Sequence, residues 1–83
     1  MMKLFLISQD ENEDYDTYDS AVVAAPDAET AMNMHPRNGA MVCDWDKNYN
    51  SWCSKPENVT VKYIGEANDG INQGVICASF NAG

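Results

Sequence analysis

Hydrophobic positions along the chain fall into short segments, and polar runs or prolines separate them. Residues 2–8 are apolar at both odd and even positions, which is typical of a strand that is covered on at least one face. An acidic run follows, and residues 15–25 then form a second segment rich in strand-forming residues. Two strands joined by a short loop most simply pair as an antiparallel hairpin, so the sequence predicts a hairpin over residues 2–25.

A short helix is predicted directly after the second strand. Pro26 has the φ angle that a first helical turn needs, and Asp27 and Glu29 place negative charge at the helix N-terminus. The apolar stripe expected to face the sheet consists of Ala28, Ala31, Met32 and His35. Pro36 ends the helix, because proline pushes the preceding residue out of the helical region. Two helical turns are too short to be stable alone, so the helix is expected to pack on the sheet.

The second half of the chain predicts further strands. Residues 59–64 alternate between apolar and polar positions, and residues 75–80 are apolar on both faces, so both segments are interpreted as strands. Residues 41–45 and 51–53 are interpreted as a short strand and its return, with a two-residue turn that would place one tryptophan opposite the other. The order ββα(ββ)ββ predicts a single α+β domain over residues 1–83. Its sheet would be antiparallel or mixed, with four to six strands and one short helix packed on a face.

Acidic residues outnumber basic ones by thirteen to five, which gives a formal net charge of −8. Six of the acids lie within ten residues, at the predicted hairpin connection: Asp10, Glu11, Glu13, Asp14, Asp16 and Asp19. Direct binding to a nucleic-acid backbone needs clustered Lys and Arg, and the basic residues here are scattered, so such binding is not expected. The charge instead suits a partner with a basic surface, or it only keeps a small protein soluble.

The residues that could bind a metal do not have the spacing of a known site. Asp10, Asn12 and Asp14 begin like a calcium loop, but Tyr15 and Ala21 occupy the positions that need glycine and a bidentate glutamate. The single histidine and the three cysteines include none of the short paired motifs of structural zinc sites. The sequence therefore predicts neither a metal nor another cofactor.

Motifs for catalysis and for membrane insertion are not recognised in the sequence. His35 is the single imidazole that could activate Cys43 or Cys53, and no glycine-rich loop leads from a strand into a helix. The apolar run near the N-terminus is too short for a signal peptide or for a membrane span. We therefore expect a protein that is not an enzyme and does not contact a membrane.

An aromatic segment supplies a second candidate surface. Trp45, Tyr49 and Trp52 lie within eight residues, interleaved with acidic, amide and hydroxyl side chains. Large aromatic residues beside polar groups are typical anchors of protein interfaces, and they also stack on nucleotide bases. The same tryptophans could instead close the open side of a small core, and the sequence leaves both interpretations open.

Four segments of the chain resemble a family of small accessory proteins of tailed phages and prophages. They read MKLFLISQ, YDTYDSAVVAAPDAETAMNMHP, PENVTVKYIGEA and GVICASFNAG, and together they cover most of the sequence. The resemblance implies a small phage protein in the cytoplasm of the host bacterium, and it brings no catalytic residue with it. Many acidic phage proteins of this kind block a host defence complex, and others sequester nucleotide signals.

The charge pattern and the resemblance together favour a protein that binds and inhibits or modulates a host protein, such as an anti-CRISPR protein. The residues expected to contact the partner are Glu11, Glu13, Asp14, Tyr15, Asp16, Tyr18, Asp19, Trp45, Tyr49 and Trp52. A nucleotide sponge is the alternative, and it would need basic residues that converge on one pocket. Those basic residues are Arg37, Lys47, Lys55 and Lys62. A virion assembly factor is a third hypothesis, and the strand at residues 75–80 would allow a homodimer through its edge.

Overall fold

A computed structural model of the protein describes residues 2–11, 17–43, 45 and 52–81. Within these residues the chain forms four β-strands, one α-helix and one short 3-10 helix. In chain order they are β1 (Lys3–Ser8), β2 (Thr17–Ala25), α1 (Ala28–Met32), the 3-10 helix (Pro56–Asn58), β3 (Thr60–Glu66) and β4 (Gly74–Asn81). No helix in this part of the chain is long and apolar enough to cross a bilayer.

The four strands form one antiparallel sheet in the order β3-β1-β2-β4. β1 and β2 pair from Lys3 opposite Ala25 to Ser8 opposite Ser20, which confirms the predicted hairpin. β3 adds to the other edge of β1, and β4 adds to the other edge of β2. The helix packs against β1, β2 and β3. The prediction of an α+β fold with one short helix on a small sheet is therefore confirmed.

The helix is shorter than the sequence predicts. Asp27 caps its first turn, where the Asp27 carboxylate accepts a hydrogen bond of 2.8 Å from the backbone N–H of Thr30. The helix contains five residues. It stops there because the chain turns at Asn33 and returns through a single β-bridge between Met34 and Met41.

Two local predictions for the segment after the helix are wrong. His35 lies beyond the helix rather than on its apolar stripe, since its backbone N–H donates to the Ala40 carbonyl across the turn at 2.9 Å. Residues 41–43 contain one bridge, at Met41, in place of the predicted strand. Residues 52–53 are not a strand either, and the turn predicted before them lies outside the described residues.

The core lies on the side of the sheet that the helix covers. Two rows of paired residues cross the sheet on this side: Val61, Ile7, Ala21 and Ala78, and then Tyr63, Phe5, Val23 and Val75. The fully buried residues that cover these rows are Ala31, Met34, Trp52 and Cys53. Burying one large apolar side chain contributes about 1.5–3 kcal/mol, so this layer dominates the stability of the fold.

The other side of the sheet has no described helix packed on it, and we call it the open face. Its three rows, in the strand order β3-β1-β2-β4, are Gly65, Leu4, Ala24 and Gly74; Lys62, Leu6, Val22 and Cys77; and Thr60, Ser8, Ser20 and Ser79. The first two rows are mainly apolar and the third consists of hydroxyl side chains. Among the described residues, the helix therefore covers one side of the sheet, whereas on the other side Lys62 and Cys77 are exposed, Leu4, Leu6 and Val22 are partly buried and Ala24 is buried.

Candidate functional site: the acidic end of the sheet

The connection between β1 and β2 lies at one end of the sheet, and we call the surface there the acidic end. Its described members are Asp10, Glu11, Tyr18, Asp19, His35 and Phe80. The connection also contains Glu13, Asp14, Tyr15 and Asp16, which lie outside the described residues. Of the predicted partner-binding residues from the hairpin, the described ones, Glu11, Tyr18 and Asp19, therefore share one end of the sheet.

Gln9 fixes the base of the acidic connection. Its backbone N–H donates to the carbonyl of Asp19 at 3.1 Å, and its side-chain amide donates to the carbonyl of Tyr18 at 2.9 Å. Gln9 is only 7% exposed. A buried polar side chain with satisfied hydrogen bonds is costly to displace, so the two strands are held together where the connection begins and ends.

Glu11 ties the acidic connection to the segment that precedes β3. Its carboxylate accepts hydrogen bonds from the Ser54 backbone N–H at 3.2 Å and from the Ser54 hydroxyl at 2.5 Å. The side-chain amide of Asn58 donates a third hydrogen bond to the same carboxylate. Hydrogen bonds to a charged group are stronger than those between neutral groups. Glu11 was predicted to contact the partner, and in the structure it positions the connection that carries the other acids.

The hydrogen bonds of Glu11 also favour its charged form. Donation by the Ser54 hydroxyl and then by the Asn58 amide holds the pKa of Glu11 below its ordinary value. The carboxylate is therefore ionised throughout the neutral range. The negative charge and the tie between the two segments persist together over this range.

A β-bulge exposes Asp19. Tyr18 pairs with Phe80 and Ser20 pairs with Ser79, so Asp19 is an extra residue on β2 with no partner on β4. A bulge leaves its extra residue out of the ladder and re-aims the side chain. The Asp19 side chain is exposed, as is that of Asp10. Among the described acids of this end, Asp10 and Asp19 are therefore exposed to solvent, and unlike Glu11 they have no assigned structural role.

Tyr18 is the centre of an aromatic cluster beside these acids. Its ring meets the Phe80 ring edge-on, with the centroids 4.7 Å apart, and it meets the His35 ring at 5.9 Å. Pairs of this kind contribute about 0.5–1.5 kcal/mol beyond the area that they bury. Phe80 is 42% exposed, so the cluster presents an apolar surface next to the carboxylates. Sequence reasoning selected Tyr18 and missed Phe80 and His35, because only the register of β2 and β4 brings these rings together.

The two tryptophans belong to the core side of the sheet. Trp52 is 0% exposed, so its prediction as a surface anchor is wrong in this fold. Trp45 is partly buried and packs against the same core cluster. Tyr49 lies outside the described residues. Among the described aromatic residues, Phe80 and its neighbour Tyr18 are therefore more accessible than Trp52.

Burial affects two of the side chains that were considered for nucleophilic catalysis, Cys53 and His35. Burial raises the pKa of the Cys53 thiol to about 11, so the thiol is protonated at neutral pH. Burial, and then the nearby charge of Arg37, lower the pKa of His35. Its Nδ1 accepts a hydrogen bond of 3.0 Å from the Arg37 backbone N–H, which fits a neutral imidazole. The described residues include no group of three or more His, Cys, Asp or Glu side chains that could hold a metal ion.

The described basic residues that a nucleotide pocket would need belong to different elements of the fold. Lys62 belongs to the open face, Arg37 follows the helix, and Lys55 precedes the 3-10 helix. None of these three lines the hollows that the structure shows on the two faces of the described sheet. Lys47 lies outside the described residues.

The fold and this surface define a small α+β protein in which acidic and aromatic side chains share one end of an antiparallel sheet. Comparison of the chain with protein-family models, with curated proteins and with solved structures finds no match.

Proposed function

We propose that the chain is a small phage accessory protein that binds a basic surface of a host protein through the acidic end and thereby inhibits it. The role that we propose in the host cytoplasm is anti-defence, of the anti-CRISPR kind. The resemblance of four sequence segments to small proteins of tailed phages supports this context. The occurrence of exposed carboxylates and an exposed aromatic ring at the same end of the sheet supports the mode of binding.

The observation that carries the proposal is that Phe80 pairs with Tyr18, the neighbour of Asp19, at the end of the sheet where the acidic connection joins β2. Asp10 and Asp19 are exposed, and the Tyr18 and Phe80 rings lie against each other beside them. Complementary charge speeds the encounter and selects the partner, whereas a desolvated aromatic anchor supplies affinity. Both elements occur at one end of the sheet, where Gln9 is bonded to Tyr18 and Glu11 is bonded to Ser54.

A defence complex that binds nucleic acid offers a matching surface. Such complexes hold nucleic acids in channels that are rich in Lys and Arg. Six carboxylates within ten residues would occupy such a channel in place of phosphates, and this would exclude the nucleic acid. Inhibition would then follow from competition and would need no catalytic residue.

A plaque assay tests the anti-defence role. The protein is expressed in a bacterium whose CRISPR complex targets an infecting phage, and we expect plaque formation to be restored. An acid-end variant, Asp10→Lys with Asp19→Lys, should lose this effect because it replaces two exposed carboxylates with cations. Glu11 is left intact, since it positions the connection.

The matched control is Glu29→Lys with Asp69→Lys. It changes the net charge by the same amount, at exposed positions in the helix and in the β3–β4 turn. We expect it to restore plaques as the wild-type protein does. If both variants lose the effect, net charge rather than the acidic end is responsible. If both keep it, neither is responsible, and in either case the proposed mode of binding is wrong.

A further inference from the structure

Exposed isoleucines gather on the open face of the sheet. Ile64, Ile71 and Ile76 are 46%, 40% and 50% exposed. Ile71 and Ile76 lie beside Leu4, which is itself only partly buried, and Ile64 belongs to the adjacent strand β3. Large aliphatic side chains that are scattered over a surface need no explanation, but a contiguous set on one face marks an interaction site.

Two β-bulges place isoleucines as extra residues on the outer strands. On β3, Phe5 pairs with Tyr63 and Leu4 pairs with Gly65, so Ile64 is the extra residue. On β4 the extra residue is Ile76, which lies beside Leu4. A bulge re-aims a side chain and is a built feature of a sheet rather than a defect. Ile76 therefore adds an aliphatic side chain to the open face. Ile64 occupies the corresponding bulge on β3, between a core-side residue and an open-face residue.

Small residues between these side chains leave shallow hollows. One hollow of about 230 Å³ lies beside Leu4, Ile71 and Ile76, and a second of about 170 Å³ lies beside Leu6 and Val22. Each has room for a branched aliphatic side chain. A surface that carries both projecting isoleucines and hollows that fit them is self-complementary, as a twofold symmetric interface requires.

The charge of the protein also favours a second copy as the occupant. Lys62 is the single charged residue in the three described rows of the open face, although the chain has a net charge of −8. Two copies that met through any acidic surface would repel each other. Contact through the open face brings together rows in which Lys62 is the charged residue, with Glu66 beside the hollow at Leu4.

The area of the open face is sufficient for a dimer. The strands contain six, nine, seven and eight residues. Four strands about 25 Å long and ~4.8 Å apart give a footprint of roughly 500 Å² per copy. Two facing copies would then bury about 1,000 Å² in total, which reaches the lower limit for a specific interface.

We propose that the open face is the interface of a homodimer, in which the sheets of two copies pack face to face. Ile64 and Ile76 of each copy would enter the hollows beside Leu4 and Leu6 of the other copy. The helices would lie on the outside of the two packed sheets, as outer layers of a sandwich. The dimer does not depend on the proposed function, since it uses a different surface.

Sedimentation velocity with one pair of variants tests the dimer. The wild-type protein should dimerise with a dissociation constant in the micromolar range, as expected for an interface of this size. Ile76→Lys buries an unpaired charge at two symmetric positions, and should raise the dissociation constant at least about 100-fold. Met41→Lys adds the same charge at a residue that is 47% exposed and lies off the sheet, and it should leave the constant unchanged.

Alkylation of the wild-type protein gives a second readout that needs no substitution. Cys77 belongs to the open face, whereas Cys43 is exposed elsewhere in the described structure. As protein concentration rises through the dissociation constant, iodoacetamide should modify Cys77 more slowly while the rate at Cys43 stays constant. A rate of Cys77 modification that does not change with protein concentration would contradict the proposed interface.

The salt dependence separates the dimer from the proposed host complex. Salt screens the repulsion between two acidic copies, so the dimer should tighten as ionic strength rises, whereas a complex with a basic partner should weaken. A wild-type protein that stays monomeric, or an Ile76→Lys variant that dimerises normally, overturns the proposal. If the wild-type protein is a monomer and the Ile76→Lys variant no longer captures a host protein, the open face binds that host protein. This result would also overturn the proposed dimer.

Discussion

Glu11 is the residue that links the acidic connection to the rest of the fold. Its carboxylate accepts hydrogen bonds from both donors of Ser54 and from Asn58, which is 47 positions further along the chain. This contact exists only in the folded chain. The charge pattern of the sequence therefore does not distinguish Glu11 from its neighbouring acids. Removing it should change stability as well as binding.

Replacing Glu11 with Gln should lower the free energy of unfolding by about 0.5–1 kcal/mol, the low end for a hydrogen-bonded carboxylate because the site is exposed. The pKa of Glu11 in the folded state lies below its ordinary value of 4.5. Its contribution is therefore fully present above pH 4.5, and it is lost as the pH falls through the lowered pKa.

Urea denaturation at several pH values measures this effect, with Asp10→Asn as the control. The difference in the free energy of unfolding between the wild-type protein and Glu11→Gln should disappear in acid. At neutral pH, Asp10→Asn should have the same free energy of unfolding as the wild-type protein. A gap that persists at low pH would show that the Glu11 charge is not the cause.

The two tryptophans should differ sharply in their effect on stability. Trp52→Ala removes a side chain that is 0% exposed and should cost about 3–5 kcal/mol, close to the whole stability of a small domain. Trp45 is partly buried, so Trp45→Ala should cost clearly less. Urea or thermal unfolding compares the two variants. Equal costs would contradict the placement of Trp52 in the core.

At the scale of elements, the strands were predictable because their signal is local. Alternation and β-branched residues predicted residues 59–64 and 75–80, and the structure places β3 and β4 there. The capping acid Asp27 and the proline before it predicted the start of the helix, which the structure also shows. Each of these signals depends on a few neighbouring residues and on backbone preferences.

The remaining features depend on residues that are far apart in the chain. The helix ends early because Met34 pairs with Met41, and the aromatic cluster forms because β4 aligns Phe80 with Tyr18. The bulges that expose Asp19 and the isoleucines follow from the same pairing. No local pattern encodes a register between distant strands, so the anchor at the acidic end could not be predicted from the sequence.

A pair of glycines tests how the turn after the helix meets the sheet. Gly39 and Gly70 both have positive φ angles, of 77° and 89°. A Cβ atom at Gly39 would lie 3.1 Å from the Gly74 Cα and 3.2 Å from the Val75 nitrogen, whereas one at Gly70 would meet no atom within 4 Å. Alanine at either site is strained by the backbone angle, but only at Gly39 does it also press on β4.

We therefore expect Gly70→Ala to cost about 1 kcal/mol from strain alone, and Gly39→Ala to cost a further ~1–2 kcal/mol from the contact with β4. Chemical denaturation of the two variants measures the difference. Equal losses of unfolding free energy in the two variants would show that the turn moves away from the sheet without cost. Its packing on β4 would then contribute little to the stability of the fold.

The whole molecule presents two surfaces of opposite character. The acidic end combines exposed carboxylates with the ring of Phe80, whereas the open face is aliphatic and nearly uncharged in its described rows. A protein of 83 residues with a net charge of −8 would gain stability from a dimer, and would keep its acids available to a partner. The two proposed interfaces could then be occupied at the same time.

The most direct test of the proposed function is the affinity for a captured host protein. The wild-type protein, the acid-end variant Asp10→Lys with Asp19→Lys, and the control Glu29→Lys with Asp69→Lys are each immobilised and exposed to a host lysate. The main protein retained by the wild-type chain is then purified, and its affinity for all three chains is measured at low and at physiological ionic strength.

The acidic end should dominate this interaction. We expect the acid-end variant to bind at least about tenfold more weakly, the control to bind within about threefold of the wild-type protein, and salt to weaken the wild-type complex. Equal affinity for all three chains, or a complex that tightens as salt is added, would contradict the proposal that the acidic end binds a basic host surface.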